Sequence, residues 1–187
     1  MVRSSIALLL LAAVALSAGC SMVAPKYSPS LENVQKIKDA NISPTKVGTF
    51  DFTAAAGNTN PISLRGSSLN SPYDGSYAKY IAEAVKQELV LAGKFAADAQ
   101  LEVSGALQKN DINIPALGSG TGDLQARFVV KRGGEVRFDQ VKMIHDEWDS
   151  SFVGAVAIPR AQERYPVMVQ KLIGQLLADP AFLQSLK

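Results

Sequence analysis

A single cysteine sets the first constraint on how this chain can fold. Cys20 is the only cysteine among 187 residues, so no disulfide can form within the chain. The folded part therefore has to be held together by the burial of apolar side chains. Apolar residues make up 47% of the sequence and charged residues 19%, a composition typical of a globular domain.

The segment in front of Cys20 has the layout of a secretory signal. Arg3 gives a positive start, Ile6 to Leu16 form an apolar run, and small residues lead up to the cysteine. A bilayer-spanning helix needs about 20 apolar residues, and this run is shorter and lacks a positive flank behind it. The sequence therefore predicts that residues 1–19 form a signal peptide that is cleaved between Gly19 and Cys20.

The stretch "LSAGC", which ends at Cys20, resembles the lipobox of bacterial lipoproteins. In that family the cysteine becomes diacylated and forms the new N-terminus after cleavage, so the resemblance implies that Cys20 carries a lipid anchor. Asp directly after the cysteine tends to retain such proteins in the inner membrane of Gram-negative bacteria. Ser21 stands at this position, and the resemblance therefore implies the periplasmic face of the outer membrane. The alternative is a generic signal peptide that leaves Cys20 as a free thiol.

Proline content divides the remaining chain into a tether and a domain. Residues 20–45 contain three prolines and few large apolar side chains, which predicts a tether that starts with the lipidated cysteine. A short helix over Leu31 to Asp39, capped by Ser30, and an unstructured spacer are both compatible with this segment. Residues 46–187 have the length of one periplasmic domain.

Two apolar stripes with helical spacing predict the main helices. The first consists of Tyr77, Ile81, Val85 and Leu89, and the second of Tyr165, Met168, Val169, Leu172, Ile173, Leu176 and Leu177. Asp74 or Ser76 can cap the first helix, and Pro166 fits the first turn of the second. Asp179 and Pro180 predict the start of a short C-terminal helix.

Strands are predicted where apolar and polar residues alternate or where β-branched residues cluster. Such segments are residues 46–53, 100–111 and 122–131. The run "SSFVGAVAIP" at residues 150–159 is apolar at odd and even positions alike, which is typical of a buried strand. The sequence thus predicts an α+β fold with a mostly antiparallel sheet of about four to five strands and two main helices packed on one face.

The turn in "KRGGEVRF" admits two registers. A two-residue Gly133-Gly134 loop would pair Val130 with Arg137, which would place a charge on the buried face. A three-residue loop that includes Arg132 instead pairs Val130 with Val136. This second register is the predicted one.

Residue types that carry catalysis or bind metals are sparse. His145 is the only histidine, and its acidic neighbours alternate between the two faces of a strand, so they form no catalytic constellation. One histidine and a lipidated Cys20 do not supply the ligands of a zinc site. The glycines of "LGSGTGDL" run into a strand instead of a helix, which argues against a phosphate-binding loop. The sequence therefore predicts a protein without cofactor or metal that is not an enzyme.

Binding of another protein is the first functional hypothesis. A formal net charge of +2 is too small to indicate nucleic-acid binding. Long loops rich in Gly, Ser and Asn are often functional, which directs attention to residues 57–76. Within them the candidate contacts are Arg65, Tyr73 and Asp74. Trp148, the only tryptophan, is either part of the core or an exposed contact, and an exposed strand edge is a further candidate.

The order of elements over residues 46–186 also resembles, in architecture alone, two groups of periplasmic lipoprotein domains. These are the auxiliary lipoproteins of lipid-trafficking ABC transport systems and the outer-membrane activators of peptidoglycan synthases. Stretches such as "SPYDGSYAKYIAEAVKQEL" are similar to those of uncharacterised proteobacterial lipoproteins. The resemblance implies a non-enzymatic accessory module that binds an envelope protein. The alternative is a lipid or lipopolysaccharide carrier, which requires a hydrophobic cavity between helices and sheet.

Overall fold

The computed structural model describes residues 20–187. The signal peptide predicted for residues 1–19 therefore lies outside the described residues. The described part contains seven strands and four helices. In chain order these are β1 (Ser21–Val23), α1 (Leu31–Ala40), β2 (Thr45–Phe52), β3 (Ile62–Leu64), β4 (Ser67–Asn70), α2 (Tyr77–Leu91), β5 (Leu101–Asn113), β6 (Ser119–Arg132), β7 (Glu135–Asp149), α3 (Gly154–Leu177) and α4 (Pro180–Ser185).

Two mixed sheets form the framework. The larger has the strand order β2-β5-β6-β7, with β2 parallel to β5 and antiparallel pairing from β5 to β7. The smaller has the order β1-β4-β3, with β1 parallel and β3 antiparallel to β4. The predicted α+β class is confirmed, but the mostly antiparallel sheet is wrong. The chain crosses over through α2 between β2 and β5 and makes them parallel, whereas short connections make β5, β6 and β7 antiparallel.

The two long helices, α2 and α3, pack side by side on one face of the larger sheet. Alternate residues of β5 and β6 point to this face and are buried, as their alternation predicts. They are Leu101, Val103 and Leu107 on β5 and Leu124, Ala126, Phe128 and Val130 on β6. Tyr165 of α3 joins the helices, with its ring centroid 4.6 Å from that of Tyr77 and 5.0 Å from that of Tyr80.

Side-chain caps predicted from the sequence begin α1, α2 and α4. Ser30, Ser76 and Asp179 each accept a hydrogen bond from a backbone N–H in the first turn of the helix that follows. Of the two alternatives for Leu31 to Asp39, a short helix or an unstructured spacer, the structure contains the helix, which is α1. Among the helices of the described chain, none combines the length and the apolar composition needed to cross a bilayer.

The structure corrects the tether predicted for residues 20–45. β1 pairs with β4 from its first residue, and α1 packs against α2 and α3. Tyr27, Val34 and Ile37 are buried in the common core. The prolines make this segment resemble a spacer, but its few large apolar side chains are spaced so that they reach the core.

A second correction concerns residues 150–159, which were predicted to form a buried strand. Residues 150–153 form a loop, and α3 begins at Gly154. Pro159 and Pro166 both lie inside α3, so Pro166 is in the middle of the helix and not in its first turn. The reason is that the periodicity of a short apolar run does not distinguish a strand from a helix.

The turn between β6 and β7 also differs from the prediction. A two-residue Gly133-Gly134 loop joins the strands, with φ values of 56° and 91°, and the predicted three-residue loop that includes Arg132 is wrong. Two positive φ values in a row favour glycine at both positions. A bulge after the turn places Val130 opposite Phe138 and not opposite Arg137. The bulge therefore keeps apolar residues on the buried face without lengthening the loop.

Candidate functional site

Arg65 joins three loops at one end of the domain. It lies in the turn between β3 and β4. Its Nε donates to the carbonyl of Ile114 at 2.7 Å, and its Nη1 donates to that of Phe152 at 3.0 Å. Its Nη2 donates to the carbonyls of Ser151, at 2.9 Å, and Pro115. The guanidinium thus holds the β5–β6 loop and the β7–α3 loop against the β3–β4 turn.

Cys20 lies at the same end of the domain. The backbone N–H of Ser68, three residues after Arg65, donates to the Cys20 carbonyl at 2.9 Å. Cys20 is exposed, and β1 begins at the next residue, Ser21. The predicted point of lipid attachment is therefore the first residue of the small sheet.

Large apolar side chains are exposed around this end. They are Leu117, Phe152, Val153 and Val156, with 81%, 74%, 55% and 45% of their surface exposed. Leu117 belongs to the β5–β6 loop, and the other three belong to the β7–α3 loop and the first turn of α3. We refer to Cys20, Arg65, residues 114–118 and residues 151–156 together as the Arg65 end.

A groove lies along the edge of the larger sheet. Within residues 20–187, β7 has a strand neighbour on one side only. The groove between β7, α1 and α3 has a volume of about 670 Å³, and Lys36, Met143 and Gln170 are among the residues that line it. Met143 is 60% exposed. We call this feature the β7 groove.

A buried carboxylate fixes one wall of the β7 groove. Asp146 of β7 is 4% exposed. Arg164 of α3 donates to its Oδ2 at 2.6 Å, and Lys171 of α3 donates to its Oδ1. Burial alone raises the pKa of the Asp146 carboxyl, but the hydrogen bonds from Lys171 and Arg164 outweigh it and hold that pKa below its usual range. The carboxylate stays ionised at neutral pH and links β7 to α3.

The other residues predicted to contact a partner are not brought together into one site. Trp148 is 9% exposed, so it belongs to the core, which is one of the two alternatives predicted for it. Tyr73 is half-buried, and its hydroxyl accepts a hydrogen bond from the backbone N–H of Tyr27 at 3.2 Å. Asp74 is exposed and forms an ion pair with Lys79 at 2.8 Å.

Residues 57–76, predicted as a long loop, contain the β3–β4 hairpin. Ile62, Leu64 and Leu69 of this hairpin are fully buried. Polar residues surround these three side chains in the sequence and hide the strand pattern. The segment is therefore part of the core, and its turns are the parts that a partner can reach.

His145 lies on the face of the larger sheet that the helices leave open. Its Nδ1 is 2.8 Å from Oδ1 of Asp123, and Lys109 donates to Oδ2 of the same carboxylate at 3.0 Å. In the part of the chain that the structure describes, no three His, Cys, Asp or Glu side chains are grouped as metal ligands.

Within residues 20–187, the cavity found between the helices and the larger sheet is small. A cavity lined by Val85, Val103 and Ile173, among others, has a volume of about 20 Å³. One water molecule needs about 10–15 Å³ measured in this way. This cavity does not have the size that an acyl chain needs.

The β7 groove and the apolar Arg65 end were not predicted from the sequence. The groove depends on α1, β7 and α3, which are far apart along the chain, and no local pattern indicates it. The apolar end does leave a signal, because residues 114–122 and 150–159 contain no charged side chain. In residues 150–159 that signal predicts a buried strand, which the structure does not contain.

Comparisons with known proteins bear on the fold. No family model and no curated protein matches the chain. A Xanthomonas campestris protein of the family DUF330 is similar in structure, with a TM-score of 0.57, 8% identity, and coverage of 88% of this chain and 96% of that one. The likeness establishes a shared fold.

Two further structures are more distant. A candidate lipoprotein of Caulobacter crescentus gives a TM-score of 0.45 at 9% identity and covers 82% of this chain and 96% of its own. A hypothetical protein of Chlamydia trachomatis gives a TM-score of 0.44 at 8% identity and covers 73% of this chain and 94% of its own.

Proposed function

We propose that this protein is a non-enzymatic lipoprotein of the bacterial cell envelope, held by lipid on Cys20 at the periplasmic face of the outer membrane. The observation that carries the proposal is an exposed Cys20 at the start of the folded domain, directly behind a signal-like segment that ends in a lipobox-like stretch. A cysteine with only a structural role would be buried. Ser21 in place of Asp supports the outer membrane by resemblance.

The domain acts as an accessory module that binds another envelope protein in the β7 groove. An edge strand offers backbone N–H and C=O groups to a strand of a partner. The groove of about 670 Å³ beside β7 gives room for alternate side chains of that strand. The exposed Met143 provides an adaptable apolar contact at this edge.

A lipid or lipopolysaccharide carrier is the competing function. Pockets for small ligands usually measure about 300–1,000 Å³ and are mainly apolar. The cavity of about 20 Å³ between helices and sheet is far below that range. The β7 groove has a volume within it, but polar and charged side chains such as Glu32, Lys36 and Gln170 line that groove. Protein binding is therefore the better supported of the two functions.

Photo-crosslinking in cells tests the binding site. A benzophenone amino acid is placed at Met143 in one strain and at Val90 of α2, which is 53% exposed, in a control strain. We expect Met143 to form one defined adduct with an envelope protein, at least about fivefold more than Val90, since hot-spot contacts concentrate in one patch.

The identity of the adduct decides between the functions. Mass spectrometry of the Met143 adduct should identify a protein. Equal adducts at Met143 and Val90 would contradict binding in the β7 groove. Lipid as the main adduct at Met143 would contradict the accessory-module proposal and favour the carrier.

A further inference from the structure

We infer that the Arg65 end lies directly against the bilayer that holds the lipid on Cys20, so that the domain sits on the membrane surface in one orientation. This inference rests on the proposed lipid anchor. It adds a docking surface of the protein itself, made of side chains that no anchoring step requires.

The first argument is the position of the anchor. The Cys20 carbonyl is bonded to Ser68, and β1 begins at Ser21, so the acyl chains would leave the domain without a flexible spacer. A strand advances by about 3.3 Å per residue, which keeps the residues next to Cys20 close to the lipid headgroups. The membrane therefore lies close to this end of the domain, because no spacer of variable length separates the two.

The second argument is the composition of the Arg65 end. Leu117, Phe152, Val153 and Val156 are all exposed, and Arg65 holds together the β5–β6 and β7–α3 loops next to which they lie. Single exposed apolar residues are normal on soluble proteins, whereas a group of them marks an interaction surface. Aromatic and aliphatic side chains are also those that enter the boundary between headgroups and acyl chains.

The third argument is the lack of free charge. Residues 114–122 and 150–159 contain no charged side chain. The guanidinium of Arg65, which lies between these segments, keeps its positive charge, and four backbone carbonyls accept its hydrogen bonds. A charged group without hydrogen-bond partners would oppose entry into the bilayer interface, and the only charged group that these loops enclose, the Arg65 guanidinium, has its hydrogen bonds made.

The direction of α3 places its apolar first turn on the Cys20 side. Nε2 of Gln162 donates to the carbonyl of Val23 at 2.6 Å, so α3 runs beside β1. Two turns before Gln162, the helix begins at Gly154, next to the loop held by Arg65. The lipid and the exposed apolar residues therefore point to one bilayer rather than to a separate protein partner.

Fluorescence quenching in vesicles tests this inference on the mature, lipidated protein. Lipid on Cys20 blocks its thiol, so one introduced cysteine can be labelled with nitrobenzoxadiazole. The variants are Leu117→Cys and Phe152→Cys. The controls are Val90→Cys and Val136→Cys, at positions that are 53% and 52% exposed and lie away from this end. The protein is reconstituted in phosphatidylethanolamine and phosphatidylglycerol vesicles that contain brominated acyl chains.

We expect the labels at Leu117 and Phe152 to be quenched by the brominated lipid at least about threefold more strongly than the two controls. Equal quenching at all four positions, in protein that floats with the vesicles, would refute the docking surface and leave the anchor intact. The docking surface would also be refuted if the two labels became protected only after another protein was added, because a protein and not the bilayer would then cover this end. Protein that fails to float would refute the anchor and the inference together.

Discussion

Replacing Glu88 with alanine is expected to lower the free energy of unfolding by about 3 kcal/mol and to loosen residues 20–40 first. Glu88 lies on α2 and is 1% exposed. Its Oε1 accepts hydrogen bonds from the Tyr27 hydroxyl, from the Ser30 backbone N–H at 3.0 Å and from Asn33 Nδ2 at 3.2 Å. The donors lie in the segment that leads into α1 and in the first turn of α1 itself, so one oxygen ties this part of the chain to α2.

The effect is large because the alanine variant leaves buried donors without an acceptor. Burial and the neighbouring Glu88 carboxylate raise the pKa of the Tyr27 phenol, so its hydroxyl remains protonated and needs an acceptor over the whole physiological range. A loss of this size lowers the melting temperature by about 6–12 °C in a domain of this length. Calorimetry measures the melting temperature, and hydrogen exchange measures the loosening of residues 20–40.

Two control variants distinguish the loss of the Glu88 hydrogen bonds from the general effect of replacing a glutamate on α2. Glu88→Gln keeps an oxygen acceptor, and we expect it to lose less stability than Glu88→Ala. Glu83→Ala removes a half-buried carboxylate from the same helix and should change stability by no more than about 0.5 kcal/mol. If Glu88→Ala and Glu83→Ala were equally stable, the proposed role of Glu88 would be wrong.

Replacing Arg65 with alanine should have the second-largest effect, a loss of about 2 kcal/mol, since four carbonyls lose their donor and three of these hydrogen bonds are partly buried. We expect faster hydrogen exchange in residues 114–118 and 150–153, while the exchange of α2 changes only through the global loss of stability.

Arg65→Lys is the matched variant. An ammonium group is a point donor and does not reproduce the planar fork of a guanidinium, so we expect it to recover less than half of the lost stability. Full recovery by lysine would contradict the bridging role of Arg65 and would indicate that positive charge alone matters there.

Local patterns were sufficient for much of the fold. The spacing of Tyr77, Ile81 and Val85 predicts α2, and the caps at Ser30 and Asp179 predict where α1 and α4 begin. Alternation in β5 and β6 predicts which of their residues are buried. These features depend on neighbours within a few residues, and such neighbours are visible in the sequence.

Features that depend on distant partners were not predictable. β2 is parallel to β5 because of a crossover that no local pattern in β2 indicates. The apolar run at residues 150–159 predicts a buried strand, whereas the chain forms a loop and the start of α3 there, because an apolar run gives no information on what covers it. For the candidate site, the sequence indicated Cys20 and Arg65, but their proximity depends on the β1–β4 pairing and on the carbonyls that Arg65 binds.

Intact-mass determination of the protein extracted from native membranes tests the central proposal, the lipid anchor on Cys20, most directly. The account predicts a chain that begins at Cys20 and carries the added mass of a diacylglyceryl group, together with loss of that product in a Cys20→Ser variant. A mature chain with an unmodified Cys20 thiol, or a chain cleaved at another residue, would contradict the anchor and with it the docking of the Arg65 end on the bilayer.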